Sequence, residues 1–174
     1  MLKASFACRG RILQLSIQME TLMDLYIAQQ FFDNEDKQSD FSTLLLSEVG
    51  LNKKSGLFMY LLEKTPGSLS RTYLKAFRKK IVLVIDERNL FAHYPIAFNG
   101  EAIEKFNSTG AITFVKMRRG RHEGKEQVGL RYVYTEAAVN TLIAKIVDII
   151  NTLEKLCGMD SSFKKEDEAI SNNP

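Results

Sequence analysis

Histidine and cysteine are scarce in this chain, with two of each in 174 residues. The cysteines, Cys8 and Cys157, stand near opposite ends and read as two reduced, largely buried thiols. No Cys/His pair has zinc-ligand spacing, so neither a zinc site nor another cofactor is expected. No segment approaches the roughly 20 apolar residues that a helix needs to cross a bilayer, so no membrane contact is expected. Met1 to Arg11 carries Lys3, Arg9 and Arg11 but no sustained apolar run and no cleavage pattern. A cytoplasmic protein is therefore the expectation. A Gly-rich phosphate loop, a Ser/His/Asp arrangement and a paired-carboxylate motif are all missing. A strong charge of one sign is missing too. The net charge of +3 permits a nucleic-acid partner without requiring one, so electrostatic arguments must rest on local clusters.

What is there is ordinary for a globular domain: 45% hydrophobic and 26% charged residues. Ile12, Leu15, Met19, Leu22, Met23, Tyr26 and Ile27 recur at helical spacing, which predicts a long helix from about Arg11 to Phe32. Glu20 and Asp24 lie among these apolar positions and would need a cationic partner if buried. Asp33 to Ser39 reads as a loop. Asp40 or Ser42 then caps a short helix through Glu48, with Leu44, Leu45 and Val49 as its face and Gly50 as its stop. Asn52 to Ser55 reads as a polar break, and Ser55 caps a second short helix, Gly56 to Glu63. Thr65-Pro66-Gly67-Ser68 is a turn.

Ser70 starts a central helix whose apolar positions are Leu74, Phe77, Ile81, Val84 and Ile85. Val82 and Leu83 widen the stripe, which predicts neighbours on several sides. Arg71, Lys75, Arg78, Lys79 and Lys80 form a basic flank. Pro95 ends the helix near Ala92 or His93. Ile96 to Gly100 is extended or loop, and Glu101 to Phe106 forms a single turn. Alternating β-branched and aromatic residues predict a hairpin from Ala111–Arg118 and Gln127–Thr135 around a polar loop. Thr135 or Glu136 opens a last long helix to about Leu156, closed by Gly158. The fold class is mainly α: a bundle of four to five helices with an inserted β-hairpin before the last long helix. Residues 1–157 form one domain and 158–174 a disordered tail.

The chemistry concentrates in Glu87-Arg88-Asn89-Leu90-Phe91-Ala92-His93-Tyr94-Pro95. Cutting RNA through its own 2′-OH needs a proton acceptor, a proton donor and a counter-charge for the phosphate. Histidine suits the proton work near neutrality, arginine offers a fork of donors to phosphate oxygens, and asparagine can orient either. Asn89 and His93, four apart, share a helix face. Arg88 and His93, five apart, point about 140° away from each other on an ideal helix. They converge if the helix unwinds at His93, as Pro95 favours, or if two copies of the stretch face one another in a dimer. The structural alternative pairs Arg88 with a buried acid such as Glu20, while His93 caps the helix carbonyls.

Arg88, Asn89 and His93, with four residues between Arg and His, resemble the R-x(4–6)-H signature of the HEPN superfamily (higher eukaryotes and prokaryotes nucleotide-binding). The resemblance extends over roughly Arg11 to Leu156. It includes the long opening helix with acids on its apolar face, the short helices, the motif at the end of an apolar helix, and the closing helix. It implies a metal-independent endoribonuclease of a toxin or anti-phage defence system. It also implies a homodimer whose two motifs form one composite site, and a possible neutralising or regulatory protein partner. In that light Arg88, Asn89 and His93 are the catalytic candidates, with Glu20 and Tyr94 in support. One subgroup carries a regulatory tyrosine two positions after the histidine. Here that position is Pro95 and the tyrosine is Tyr94, which departs from the pattern. Lys116, Arg118, Arg119, Arg121, Lys125 and Arg131 concentrate charge on the hairpin and would bind RNA phosphates. They would equally keep an exposed hairpin soluble. His122, in the hairpin loop, is not counted as catalytic. The alternative function is a catalytically inactive HEPN module that binds a protein, nucleotide or RNA partner. A third reading is a purely structural dimerising bundle.

Overall fold

The computed structural model describes residues 2–65, 69–116 and 130–158. The described chain is mainly helical, with a two-stranded antiparallel hairpin before the last helix. Its order is α1 (Leu2–Gln29), α2 (Glu35–Leu44), a 3-10 turn (Leu46–Glu48), α3 (Leu51–Lys64), α4 (Arg71–His93), α5 (Gly100–Thr109), β1 (Ile112–Lys116), β2 (Leu130–Tyr134) and α6 (Glu136–Leu156). α1 packs on α2, α3, α4 and α6, and α4 also meets α3 and α6. One cluster of buried side chains joins Ile12, Met19 and Met23 of α1 to Phe58 of α3, Ile81 and Phe91 of α4, Phe114 of β1, and Ile146 and Leu153 of α6. Among the described residues no helix is long and apolar enough to cross a membrane.

Helix boundaries follow local chemistry wherever a cap is present. Ser70 accepts from the Tyr73 N–H and starts α4; Thr135 accepts from the Ala138 N–H and starts α6. Gly158, at φ 72°, supplies the left-handed residue that follows α6.

Four expectations are corrected. α1 begins at Leu2 rather than near Arg11, because Ser5, Cys8 and Arg9 already pack inward and give the N-terminal turns something to bind. α2 is capped by Asn34, not by Asp40 or Ser42. The acids taken for a loop, Glu35 and Asp36, occupy its first turn, where the helix dipole favours negative charge. Leu44 and Leu45 are exposed there, and Leu46 turns inward instead. α3 begins at Leu51 behind Gly50, so Asn52 to Ser55 is helical rather than a break. Lys54 explains the misreading, since its polar side chain is buried against two acids of α1. Finally, Glu101 to Phe106 belongs to a ten-residue helix, α5, capped by Asn99 and closed by Gly110 at φ 68°.

The second half of α4 is less enclosed than its composition predicts. Val82 and Leu83 stay 48% and 45% exposed, because α1, α3 and α6 cover only the side bearing Ile81, Val84 and Ile85. Two ion pairs tie α4 to α6, Lys80 to Asp148 and Lys145 to Glu87.

The hairpin is anchored to the end of α4 twice. Phe91 is fully buried, with its ring 4.8 Å from both Phe114 and Tyr134 in edge-on contacts. Such pairs contribute roughly 0.5–1.5 kcal/mol each beyond burial. The chain leaving α4 also lies along β1: the Val115 N–H donates to the Pro95 carbonyl at 2.9 Å, and the Ala97 N–H to the Thr113 carbonyl at 2.8 Å. β1 pairs with β2 in the register Ile112 to Tyr134 and Phe114 to Tyr132, so successive β1 residues face alternate neighbours. The turn at 66–68, the hairpin tip at 117–129 and the tail from 159 lie outside the described residues.

Candidate functional site

α4 stays helical to its last residue, His93. The Tyr94 N–H still donates to the Leu90 carbonyl at 3.1 Å, and the chain turns extended only at Tyr94 (φ −93°, ψ 133°). The unwinding at His93 expected from Pro95 does not occur. A proline restricts the residue directly before it, here Tyr94, and leaves the one before that free to remain helical. Arg88 and His93 therefore keep their angular separation of about 140° and do not converge within one chain.

The structural alternative fails at both of its contacts. Glu20 does not pair with Arg88; its carboxylate is 2.8 Å from the Lys54 ammonium, with Asp24 at 2.7 Å from the same nitrogen. Glu20 thus supports α3 rather than the motif. His93 does not cap α4. Arg9 instead reaches from α1 to the residue that follows the helix, donating through Nη2 to the Tyr94 carbonyl at 2.8 Å. The Arg9 guanidinium also lies 5.6 Å over the Phe114 ring. A cation there favourably meets the negative end of the α4 dipole. His93 is exposed, and no hydrogen bond or ion pair joins it to another described residue.

Arg88 is half-buried. Its Nη1 donates to Asn89 Oδ1 at 3.1 Å, while its Nε is buried with no partner among the described residues. Asn89 forms a ridge between two clefts. The first, about 410 Å³, is lined by Gly50, Leu51, Asn52, Lys53, Ile85, Arg88 and Asn89. Here α3 begins: the Lys53 and Lys54 N–H groups reach back to the Gly50 carbonyl, and those of Leu51 and Asn52 precede any intrahelical acceptor. Lys53, Arg88 and a helix N-terminus together make this side cationic.

The second cleft, about 430 Å³, is of another character. It is lined by Asp86, Glu87, Asn89, Leu90, Tyr94, Lys116, Tyr132 and Tyr134. The Tyr94 and Tyr132 rings are 6.0 Å apart and tilted by 33°, and Lys116 Nζ lies 5.7 Å from the Tyr94 ring centre. Burial, reinforced by the nearby Glu87 charge, pushes the Tyr134 hydroxyl up to about 12.

The expected basic surface of the hairpin is only partly within view. Lys116 stacks on Tyr94. Arg131 pairs with Glu101 at 2.5 Å, so its charge is already met. Arg118, Arg119, Arg121 and Lys125, with His122, lie outside the described residues. Among the described residues no group of three His, Cys, Asp or Glu side chains is arranged to hold a metal ion. Both cysteines are free and half-buried. The Cys157 thiol donates to the Leu22 carbonyl at 3.5 Å, and burial raises it to about 11.

Sequence reasoning missed Arg9, Lys53 and Tyr132. For Arg9 a signal existed: Ser5, Arg9, Ile12, Ser16, Met19 and Met23 continue one helical stripe at alternating four- and three-residue steps. Lys53 and Tyr132 carried no local signal, because long-range packing alone brings them to Asn89. A scan against family models and searches of curated proteins and of solved structures find no match for this chain.

Proposed function

We propose that this chain is a HEPN-type, metal-independent endoribonuclease, of a toxin or anti-phage defence system, whose site is completed between two copies in a homodimer. The carrying observation is the geometry of α4's end: His93 is exposed and unpaired among the described residues, while Arg88 borders a cationic cleft on a different side of the helix. An exposed imidazole with no structural partner is open to a substrate. In the composite site, Arg88 and Lys53 would hold the phosphate and balance its charge. His93 would take the 2′-hydroxyl proton or protonate the leaving 5′-oxygen, and Asn89, bonded to Arg88, would orient the guanidinium. Such chemistry leaves a 2′,3′-cyclic phosphate and a 5′-hydroxyl. A protein partner that neutralises the enzyme would act by covering α4 or by separating the copies.

A second reading is favoured by one specific observation. Because Arg88 and His93 diverge within one chain, a monomer would lack the assembled site and would serve as a catalytically inactive module that binds a protein, nucleotide or RNA.

One assay separates the two. Purified protein is incubated with mixed RNA in EDTA, beside Arg88→Ala and His93→Ala, and solution mass is measured in parallel. The nuclease reading expects a dimer and cleavage that falls by about 10²-fold or more in each variant. RNA left equally intact by wild type and variants across a protein titration would remove it. Cleavage that survives both substitutions would place the activity elsewhere.

A further inference from the structure

The two clefts flanking Asn89 differ in charge, and RNA differs in the same way between backbone and base. The first cleft gathers Lys53, Arg88 and the start of α3. The second presents the carboxylates of Asp86 and Glu87, against the single cation Lys116, beside three tyrosines. A phosphate is drawn to the first and repelled by the carboxylates of the second. A nucleobase, uncharged and flat, suits the second, where single-stranded RNA is commonly read by aromatic stacking and by hydrogen bonds to base edges.

We propose that the tyrosine-lined cleft between α4 and the hairpin is a nucleobase subsite that prefers guanine. The proposal rests on the reading of this chain as an RNA-cleaving protein and adds the base that it recognises. Tyr94 and Tyr132 touch each other, so no ring fits between them. Tyr94 is further covered by Lys116, and Tyr134 is packed against Phe91 and Phe114. Tyr132, half-buried at the cleft wall, offers the stacking face, with Tyr94 as its support.

Selectivity comes from Glu87. Its carboxylate stands near Tyr134 and is 3.9 Å from Lys145, the outer limit of an ion pair, which leaves its oxygens able to accept further hydrogen bonds. A carboxylate only accepts. Guanine alone among the four bases offers two adjacent donors on its pairing edge, at N1 and the exocyclic amine, matching the two oxygens. Adenine and cytosine offer an amine beside an acceptor nitrogen. Uracil places its single N–H between two carbonyls, which a carboxylate repels.

The test uses dye-labelled 2′-O-methyl RNA tetramers that vary at one position among G, A, C and U. These lack the 2′-nucleophile, so anisotropy reads binding without cleavage. The wild-type chain should bind the G tetramer about tenfold more tightly than the others. Glu87→Gln should erase that preference, because its amide offers one acceptor and one donor and so suits the edges of adenine and cytosine instead of the two donors of guanine. Tyr132→Ala should weaken all four by about tenfold, and Tyr132→Phe should restore them. Circular dichroism checks folding of Tyr132→Ala; if it fails to fold, Glu87→Gln and Tyr132→Phe still decide. Equal affinity for the four tetramers, or a preference for G that persists in Glu87→Gln, overturns the proposal. Cleavage of ordinary RNA with no base preference would remove the subsite and leave the nuclease. Selective binding without cleavage would do the reverse.

Discussion

Two polar clusters in this protein, each around one basic side chain, differ in how their groups are met. Between α1 and α3, Lys54 sits 3% exposed between Glu20 and Asp24, at 2.8 and 2.7 Å. At the end of α4, Arg88, Asn89 and His93 stand half-buried to exposed, and only Arg88 and Asn89 bond to each other. In the first cluster the charges answer one another and hold two helices together. Each cluster keeps one buried atom without a partner among the described residues, Asp24 Oδ1 in the first and Arg88 Nε in the second, but only the second also holds an exposed side chain, His93, that nothing described meets. Residue type alone does not distinguish the two clusters. What distinguishes them is that every charged group of the first has a counter-charge within the fold, whereas His93 has none.

That contrast can be broken by substitution. The largest effect is expected at the open cluster: His93→Ala should lower RNA cleavage by about 10²–10⁴-fold with no change in melting temperature. A drop in melting temperature with cleavage intact would show that His93 belongs with the structural cluster. Lys54→Met should do the opposite, leaving two acids buried without their cation and costing roughly 3–5 kcal/mol in urea unfolding. A loss below about 1 kcal/mol would mean that the acids find water or another cation. Arg9→Ala should cost about 2 kcal/mol, through the freed Tyr94 carbonyl and the lost cation at the α4 dipole. It should also reduce cleavage, since it loosens the residue next to His93.

The smallest effect concerns pH. Burial, partly offset by Lys54, raises the Asp24 carboxyl above the usual carboxylate range. For Lys54, burial acts to lower the ammonium, but its bonds to Asp24 and Glu20 outweigh this and raise it. The two directions agree: two acids share one cation, so the cation is held while one acid takes a proton readily. A carboxyl raised in the folded state favours folding below its unfolded value, and that advantage is lost as pH rises through the folded value. Asp24→Asn should therefore gain stability relative to wild type as pH climbs through the carboxylate range. Paired urea titrations across that range check this, and a relative loss on the alkaline side would refute the assignment. Lys54's contribution is complete below the ordinary lysine value and is lost only as pH rises through its raised folded value.

The same contrast explains what could be read in the chain beforehand. The start of α4, both ends of α6 and the core strands of the hairpin were legible, because Ser70, Thr135, Gly158 and strict alternation act locally. Polar residues with a buried task were not. Lys54 falls in a stretch that reads as a polar break, and Arg9 lies ahead of the expected helix start, because their partners are 30 or more residues away. Val82 and Leu83 looked enclosed because composition does not say where neighbours stop. The motif itself was found by residue type and spacing. The two clefts beside it were not, since Lys53 comes from α3 and Tyr132 from β2.

The backbone beyond His93 couples the end of α4 directly to the hairpin. Pro95 to Ala97 forms an additional edge on β1, opposite β2, and Arg9 clamps the carbonyl just before it. The imidazole is thus presented from the rim of a small sheet rather than from the free end of a rod. Any displacement of β1 would therefore be felt, through two backbone hydrogen bonds, by the segment directly after His93.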